Sequence, residues 1–356
     1  VEEGGPGPFD EVIGDRIIAP AFVNAHTHLA LHGCRGLARP ELLKGNLVED
    51  LFFEVEQHLT AEDVEAFARV AGLECLLGGV GTVFDHYYYG EATARAMRDL
   101  RLSGLVAPTL QDRAGPGTGL LEQAIDETRA LTAPEWSEAG IHAAVGPHAT
   151  DTVSAELWKR ALDLAEELDL VLHAHVSQSA EETLRSLEQR GCSPLQWLRR
   201  EGFLDSPAQQ LLVHVLYESA EEVVKLDPSR QVLGVCPHSQ MQFAFVAPVT
   251  EWDAAGLEWF IGTDTGASND RMSLQRELGT LFAIATVGVI GTAQAQLAYK
   301  DVDPERIAAL EEARKAAGSS RLHDVQTLLY RAWAAPGRWA PGLHVGEIAA
   351  GARAQL

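Results

Sequence analysis

The chain has 356 residues, of which 46% are apolar and 22% charged, the balance of a folded globular protein and not of a disordered one. Its 28 Lys and Arg against 51 Asp and Glu leave a net charge of −23, which repels phosphate backbones and anionic lipid. Nucleic acid and membrane surfaces are therefore not expected partners, and no stretch reaches the ~18 consecutive apolar residues of a membrane span.

Residues 1–16 are rich in Gly and Pro and read as the end of something that precedes the main domain. Short β-like runs then alternate with longer helical ones. The strands fall at Ile17–Ala25, Val80–Asp85, Gly104–Leu110, Ile141–Gly146, Leu170–His175, Gln210–Leu216, Gln231–Cys236 and Leu257–Thr263. Most are near-continuous apolar runs, the pattern of parallel strands buried on both faces. Amphipathic stretches between them include Ala61–Leu77, Gly119–Leu131, Ser154–Leu168, Ala180–Arg200 and Ser219–Leu226. Thr60 and Ser154, each followed by early acids, read as helix caps. Eight strands and their helices in about 250 residues predict an α/β fold, a (β/α)8 TIM barrel, with a doubly wound open sheet as the alternative. Residues 301–335 read as helices after the eighth strand, so the barrel domain is placed at 17–335 and a tail at 336–356. The apolar run Ala283–Ile290 is a candidate for packing subunits of a homo-oligomer or for completing the barrel.

Cys34, Cys75, Cys192 and Cys236 lie far apart with no C-x-x-C pair. That argues against a disulfide framework or a thiolate zinc knuckle, and it fits buried thiols in a reducing, cytoplasmic setting. The chain begins Val1-Glu2 without a starter Met, so the mature terminus is not expected to be the one given.

The sharpest local signal is Asn24-Ala25-His26-Thr27-His28 at the end of the first strand. Alternation sends residues i and i+2 to one side, so both imidazoles point the same way, as two ligands of a transition metal would. His175 ends the fifth strand, His214 lies near the end of the sixth, and Asp264 follows the eighth. In a barrel all five project into one mouth, where such enzymes place their chemistry. His173 is assigned to the opposite side of its strand from His175 and to a structural role. His32, His58, His323 and His344 have no such company and read as surface or packing residues.

The run Pro20-Ala21-Phe22-Val23-Asn24-Ala25-His26-Thr27-His28-Leu29 resembles the P-G-F-V-N-x-H-x-H opening of the amidohydrolase superfamily. The nearest branch is that of cytosine-deaminase-like, adenosine-homocysteine deaminase and triazine chlorohydrolase enzymes. Val145-Gly146-Pro147-His148, Leu172-His173-Ala174-His175, Leu212-Val213-His214, Cys236-Pro237-His238 and Gly262-Thr263-Asp264 follow in the family's order over residues 17–275. The resemblance implies one divalent metal, zinc ahead of iron, held by His26, His28, His175 and Asp264. It makes His214 a fifth ligand or a catalytic group, and it places His148 against the substrate. Glu56 aligns with a carboxylate that recognises polar substrate groups in relatives; it reads equally as an exposed helix acid. The family builds a small β-sandwich from both chain ends, so residues 1–16 and 336–356 are expected to be edges of a truncated sandwich flanking the barrel.

A divalent ion lowers the pKa of its water toward ~7, and Asp264 is placed to take up the proton released. Binuclear relatives bridge two metals through a Lys or Glu on the fourth strand, where Ile141–His148 has neither; one metal is expected. Two departures stand out. Deaminases of this branch carry H-x-x-E after the fifth strand, but here the run is His175-Val176-Ser177-Gln178, and an amide donates a hydrogen bond without delivering a proton. Glu181 and Glu182, just beyond, read as solvated helix acids. The usual H-C-P is Val235-Cys236-Pro237, followed by His238-Ser239-Gln240-Met241-Gln242-Phe243. With Tyr87-Tyr88-Tyr89, that run suggests either a pocket for a flat heterocycle or ordinary rim packing. Arg113, after the third strand, is a candidate contact for an anionic or hydroxylated substrate edge, or a surface charge. The expected activity is deamination of an amino-substituted heterocycle (purine, pterin, pyrimidine or triazine). Dehalogenation, or a metal-binding barrel with lost catalysis, is the alternative.

Overall fold

A computed structural model of the chain describes residues 15, 17–37, 46–241, 247–287, 300, 302–317, 324–340 and 342–355. Expectations for residues 1–14 and 16, for His323, for Gln242 and Phe243, and for positions 288–290 of the apolar run lie outside the described residues.

All eight expected strands are present: β1 (Phe22–Thr27), β2 (Val80–Tyr87), β3 (Ser103–Leu110), β4 (in two pieces, Ile141–Ala143 and Gly146–Pro147), β5 (Leu172–Val176), β6 (Gln210–His214), β7 (Gln231–Val235) and β8 (Trp259–Ile261). Each pairs in parallel with the next, in two runs, β1 to β4 and β5 to β8. The runs meet at both seams. Val145 pairs with Leu172 and donates its N–H to the Val171 carbonyl (2.9 Å), while Thr27 pairs with Asp264. Asn24 locks the second seam, donating from Nδ2 to Thr263 Oγ1 (2.7 Å) and accepting Thr263 N–H at Oδ1 (2.9 Å). The backbones are so close there that a Cβ on Gly262 would come within 2.6 Å of the His26 carbonyl oxygen. The result is the closed (β/α)8 barrel expected.

Alternation along the strands separates two buried layers. Val23, Ala25, Phe84, Leu105, Val171, Leu211, Val213 and Phe260 fill the interior, whereas Val83, Val106, Leu172, Leu212 and Ile261 face the helices. Helix caps form as their residues dictate. Thr60 Oγ1 accepts Asp63 N–H (3.3 Å) while Asp63 Oδ2 accepts Thr60 N–H (3.0 Å), and the helix Ala61–Leu77 follows. Ser154 Oγ accepts Leu157 N–H (3.0 Å) ahead of Ala155–Leu168. The single helix expected over 180–200 is two, Ala180–Arg190 and Pro194–Arg200. Gly191 at φ +71° ends the first, and a Ser193–Gln196 capping box opens the second.

The tail does not build strands among the described residues. The helix Ala334–Trp339 and the segment after it press Ala335, Ala340, Leu343 and Val345 into the underside of the barrel interior. Gln355 then clamps the N-terminal strand ends, donating from Nε2 to Gly81 O (2.7 Å) and accepting from Thr82 Oγ1 (2.7 Å). Residues 342–355 lie against the barrel floor. No helix among the described residues is long and apolar enough to cross a membrane. All four cysteines are free, three of them buried.

Candidate active site

His26 and His28 reach the mouth through a local irregularity. Asn24 pairs with Val83 and Thr27 with Asp85, so β1 carries one residue more than β2 over this stretch. The bulge shifts the alternation: Val23 and Ala25 face the interior below it, and His26 and His28 face the mouth above it. At the ends of β6 and β8, His214 and Asp264 sit at φ +78° and +59°, and Ser177 after β5 at +50°. Side chains other than Gly tolerate this region poorly, and such strain collects at functional sites.

The imidazoles of His26, His28 and His175 are buried, and their ligand-type nitrogens all lie within 4.8 Å of one another. Their outer nitrogens are committed elsewhere. His28 Nδ1 donates to the His86 carbonyl, and His175 Nδ1 donates to the His148 carbonyl (2.8 Å). His26 Nδ1 lies 2.8 Å from His173 Nε2. Each ring therefore turns Nε2 inward, with His28 and His175 only 3.2 Å apart, and His26 Nε2 is buried with no hydrogen-bond partner among the described residues. Asp264 Oδ1 stands 3.4 Å from His28 Nε2 and 3.9 Å from His26 Nε2. Its Oδ2 accepts the Ser239 hydroxyl (2.6 Å). Burial holds all three imidazoles below the usual histidine range, so they stay neutral with lone pairs available. Three inward nitrogens, one carboxylate oxygen and second nitrogens tied to carbonyls or another ring suit a divalent transition metal.

His214 stacks on His175, centroids 5.5 Å apart and rings within 13° of parallel. Gln240 Nε2 is 3.5 Å from its Nδ1, and the amide's direction is fixed because Gln240 Oε1 accepts Ala247 N–H (3.3 Å). Burial lowers His214 to about 4.

A pocket opens above this cluster, lined among others by Phe52, Phe53, Glu56, Tyr87, Tyr88 and Gln178. Glu56 is buried, facing the hydroxyls of Tyr87 and Tyr88; of its two sequence readings, the exposed helix acid is corrected. Loss of solvent raises it to about 8. His148 lines the wall, its Nδ1 2.8 Å from Thr152 Oγ1, and burial lowers it to about 3. Arg113 does not belong to the wall. It is exposed on the loop after β3, its N–H bonded to the Thr152 carbonyl (3.1 Å).

Two further assignments are corrected. His173 shares the side of His175, as residues two apart must, and its Nε2 lies 2.8 Å from His26 Nδ1. Glu182 is buried, not solvated: Oε1 accepts Thr150 Oγ1 (2.5 Å), Oε2 accepts Gln178 N–H (2.7 Å), and burial raises it to about 8. His32 is buried beside Glu74 (3.4 Å), so of its two readings packing holds. The sequence reading missed His86, which lines the cavity, stacks at 6.0 Å on His148 and orients His28 through its carbonyl. Its signal was available, since it lies two residues beyond the interior Phe84 at the end of β2.

A parallel barrel whose mouth gathers imidazoles and an aspartate defines a class of metal-dependent barrels. The sequence pattern of the amidohydrolase family matches residues 17–305, and the chain belongs to that family. It is 31% identical over 272 residues to a 5'-deoxyadenosine deaminase of Methanothrix thermoacetophila, covering 76% of this chain and 63% of that protein. It is 33% identical over 267 residues to a 5-methylthioadenosine/S-adenosylhomocysteine deaminase of Nitratidesulfovibrio vulgaris Hildenborough, covering 75% and 60%. The chain thus spans less than two thirds of the length of these relatives. Among solved structures, it resembles an adenosine deaminase from Xanthomonas campestris with bound zinc (TM-score 0.71, 24% identity, 93% of this chain and 69% of that one). It also resembles the zinc complex of atrazine chlorohydrolase from Arthrobacter aurescens (TM-score 0.67, 22% identity, 92% and 72%). These likenesses, under 25% identical, concern the fold.

Proposed function

We propose that this protein is a cytoplasmic, metal-dependent hydrolase that removes the amino group of a purine-type heterocycle as ammonia. The observation that carries the reading is the convergence of the His26, His28 and His175 Nε2 atoms and Asp264 Oδ1 at the base of a cavity roofed by aromatic rings. Those four residues would hold one divalent ion, zinc ahead of iron, which when bound supplies the Lewis acidity that makes water a nucleophile near neutral pH. Asp264, its Oδ2 held by Ser239, takes up the proton that the attacking water loses and returns it to the departing amino group. His214, stacked on His175 beside the site, donates to the oxygen added at the ring carbon. Phe53, Tyr87, Tyr88 and His148 enclose the flat ring, Glu56 meets its polar substituents, and the Gln178 amide bonds a ring nitrogen. Water and the amine become ammonia and the keto heterocycle. The names of the relatives support adenine derivatives as the first substrates to try.

Zinc-loaded protein is expected to release ammonia from 5'-deoxyadenosine, 5-methylthioadenosine or S-adenosylhomocysteine, with weaker turnover of pterins, pyrimidines and triazines. A protein that retains no divalent ion ends this reading. Gln178 supports a second one, a metal-binding barrel that has lost or altered catalysis, since an amide replaces the expected acid at the ring. Gln178→Glu separates the two: a gain of deamination in an otherwise silent, zinc-bound protein favours lost catalysis, and ready turnover by the unaltered protein disposes of it.

A further inference from the structure

Two of the three inward-facing imidazoles are oriented by main-chain carbonyls, but His26 leans on another imidazole, His173 Nε2 at 2.8 Å. A carbonyl only accepts, so it forces the proton onto Nδ1 of its partner. An imidazole can do either. If His173 donates from Nε2, then His26 Nδ1 must accept, its proton moves to Nε2, and the ring can no longer present a lone pair to an ion. If His173 accepts, His26 is competent and His173 carries its own proton on Nδ1.

The metal reading chooses between them. An ion needs the lone pair of His26 Nε2, so the His26 proton belongs on Nδ1, His173 Nε2 accepts it across the 2.8 Å contact, and His173 carries its own proton on Nδ1. Next to it stands His86, 5.4 Å away between centroids, whose Nε2 donates to the Gly146 carbonyl (3.0 Å) and which therefore keeps its lone pair on Nδ1. That contact is built in: a Cβ on Gly146 would sit 2.7 Å from His86 Nε2.

We propose that His173 is a positioning residue: its Nε2 accepts from His26 Nδ1 and so keeps His26 Nε2 open, while its own proton sits on Nδ1. The inference rests on the metal-binding reading above and assigns the tautomer of each ring in the row His86–His173–His26.

Two measurements test it. In zinc-loaded protein, long-range proton–nitrogen NMR of the histidine rings should show His173 protonated on Nδ1. In competition with a chelating dye, His173→Phe should hold zinc 10–100-fold more weakly, the range for loss of a group that orients a ligand. His173→Gln, whose Oε1 can still accept from His26 Nδ1, should recover part of that loss, with circular dichroism confirming that each variant folds. His173 protonated on Nε2, or His173→Phe binding zinc as tightly as the unaltered protein, overturns the inference alone. An unaltered protein that binds no zinc overturns the metal reading and takes this inference with it.

Discussion

At the mouth of the barrel, His26, His28, His175, His214 and Asp264 crowd into a space from which water is largely withdrawn, and two of them hold positive φ. At the floor, the same interior is closed by Ala335, Ala340, Leu343, Val345 and the ring of Trp339 against Phe260 (5.6 Å). The mouth carries buried polar groups and strained backbone, each of which costs stability; the floor consists of contacts that supply it. Chemistry and stability are thus concentrated at opposite ends of one interior, and substitutions at the two ends should be separable.

The largest effect belongs to the mouth. Asp264→Asn keeps the shape and removes the proposed proton acceptor, so turnover should fall by on the order of 10²–10⁴, with the denaturation midpoint little changed. A parallel loss of folding would blur the separation. At the other end, Phe260→Ala should cost ~3–5 kcal/mol in urea unfolding, while the fraction that remains folded keeps its kcat. A collapse of kcat without loss of stability would reverse the assignment.

A smaller effect concerns Glu56. Its folded-state pKa of about 8 lies above its ordinary 4.5, so between those values the folded chain keeps a proton that the unfolded chain has released. Its contribution to stability therefore falls as pH rises from about 4.5 to 8. Against Glu56→Gln, the wild type should lose relative stability across that window, read from urea midpoints at pH 5, 6.5 and 8; parallel slopes would show that Glu56 is solvated. The smallest effect is expected at Arg113. Outside the cavity, Arg113→Ala should leave kcat/KM within about twofold, the scale of an ordinary surface change.

The barrel was legible because strands buried on both faces are written as continuous apolar runs, and the mouth because its side chains stand at strand ends. What escaped has identifiable causes. The helix Gly90–Leu100 buries alanines and one methionine, so its buried face lacks the large apolar residues that mark a helix in sequence. His173, two residues from His175 on one strand, needs only strand parity to be placed beside it, and the three tyrosines that follow His86 mask it. Glu182 looks like any acid in the first turn of a helix; only the fold shows Thr150 and the Gln178 N–H closing over it. The bulge in β1 has no glycine or proline to announce it, yet it decides which way His26 points.

The main chain of His148 has a consequence for how such a protein can diverge. Its carbonyl accepts both the N–H of His175 (3.0 Å) and that residue's Nδ1–H (2.8 Å), while its own imidazole faces the cavity. Orientation of His175 therefore belongs to the peptide unit, and the ring at 148 is left to mutation. Selection can trade that ring for another and retune which molecules gain entry, while its neighbour keeps its aim.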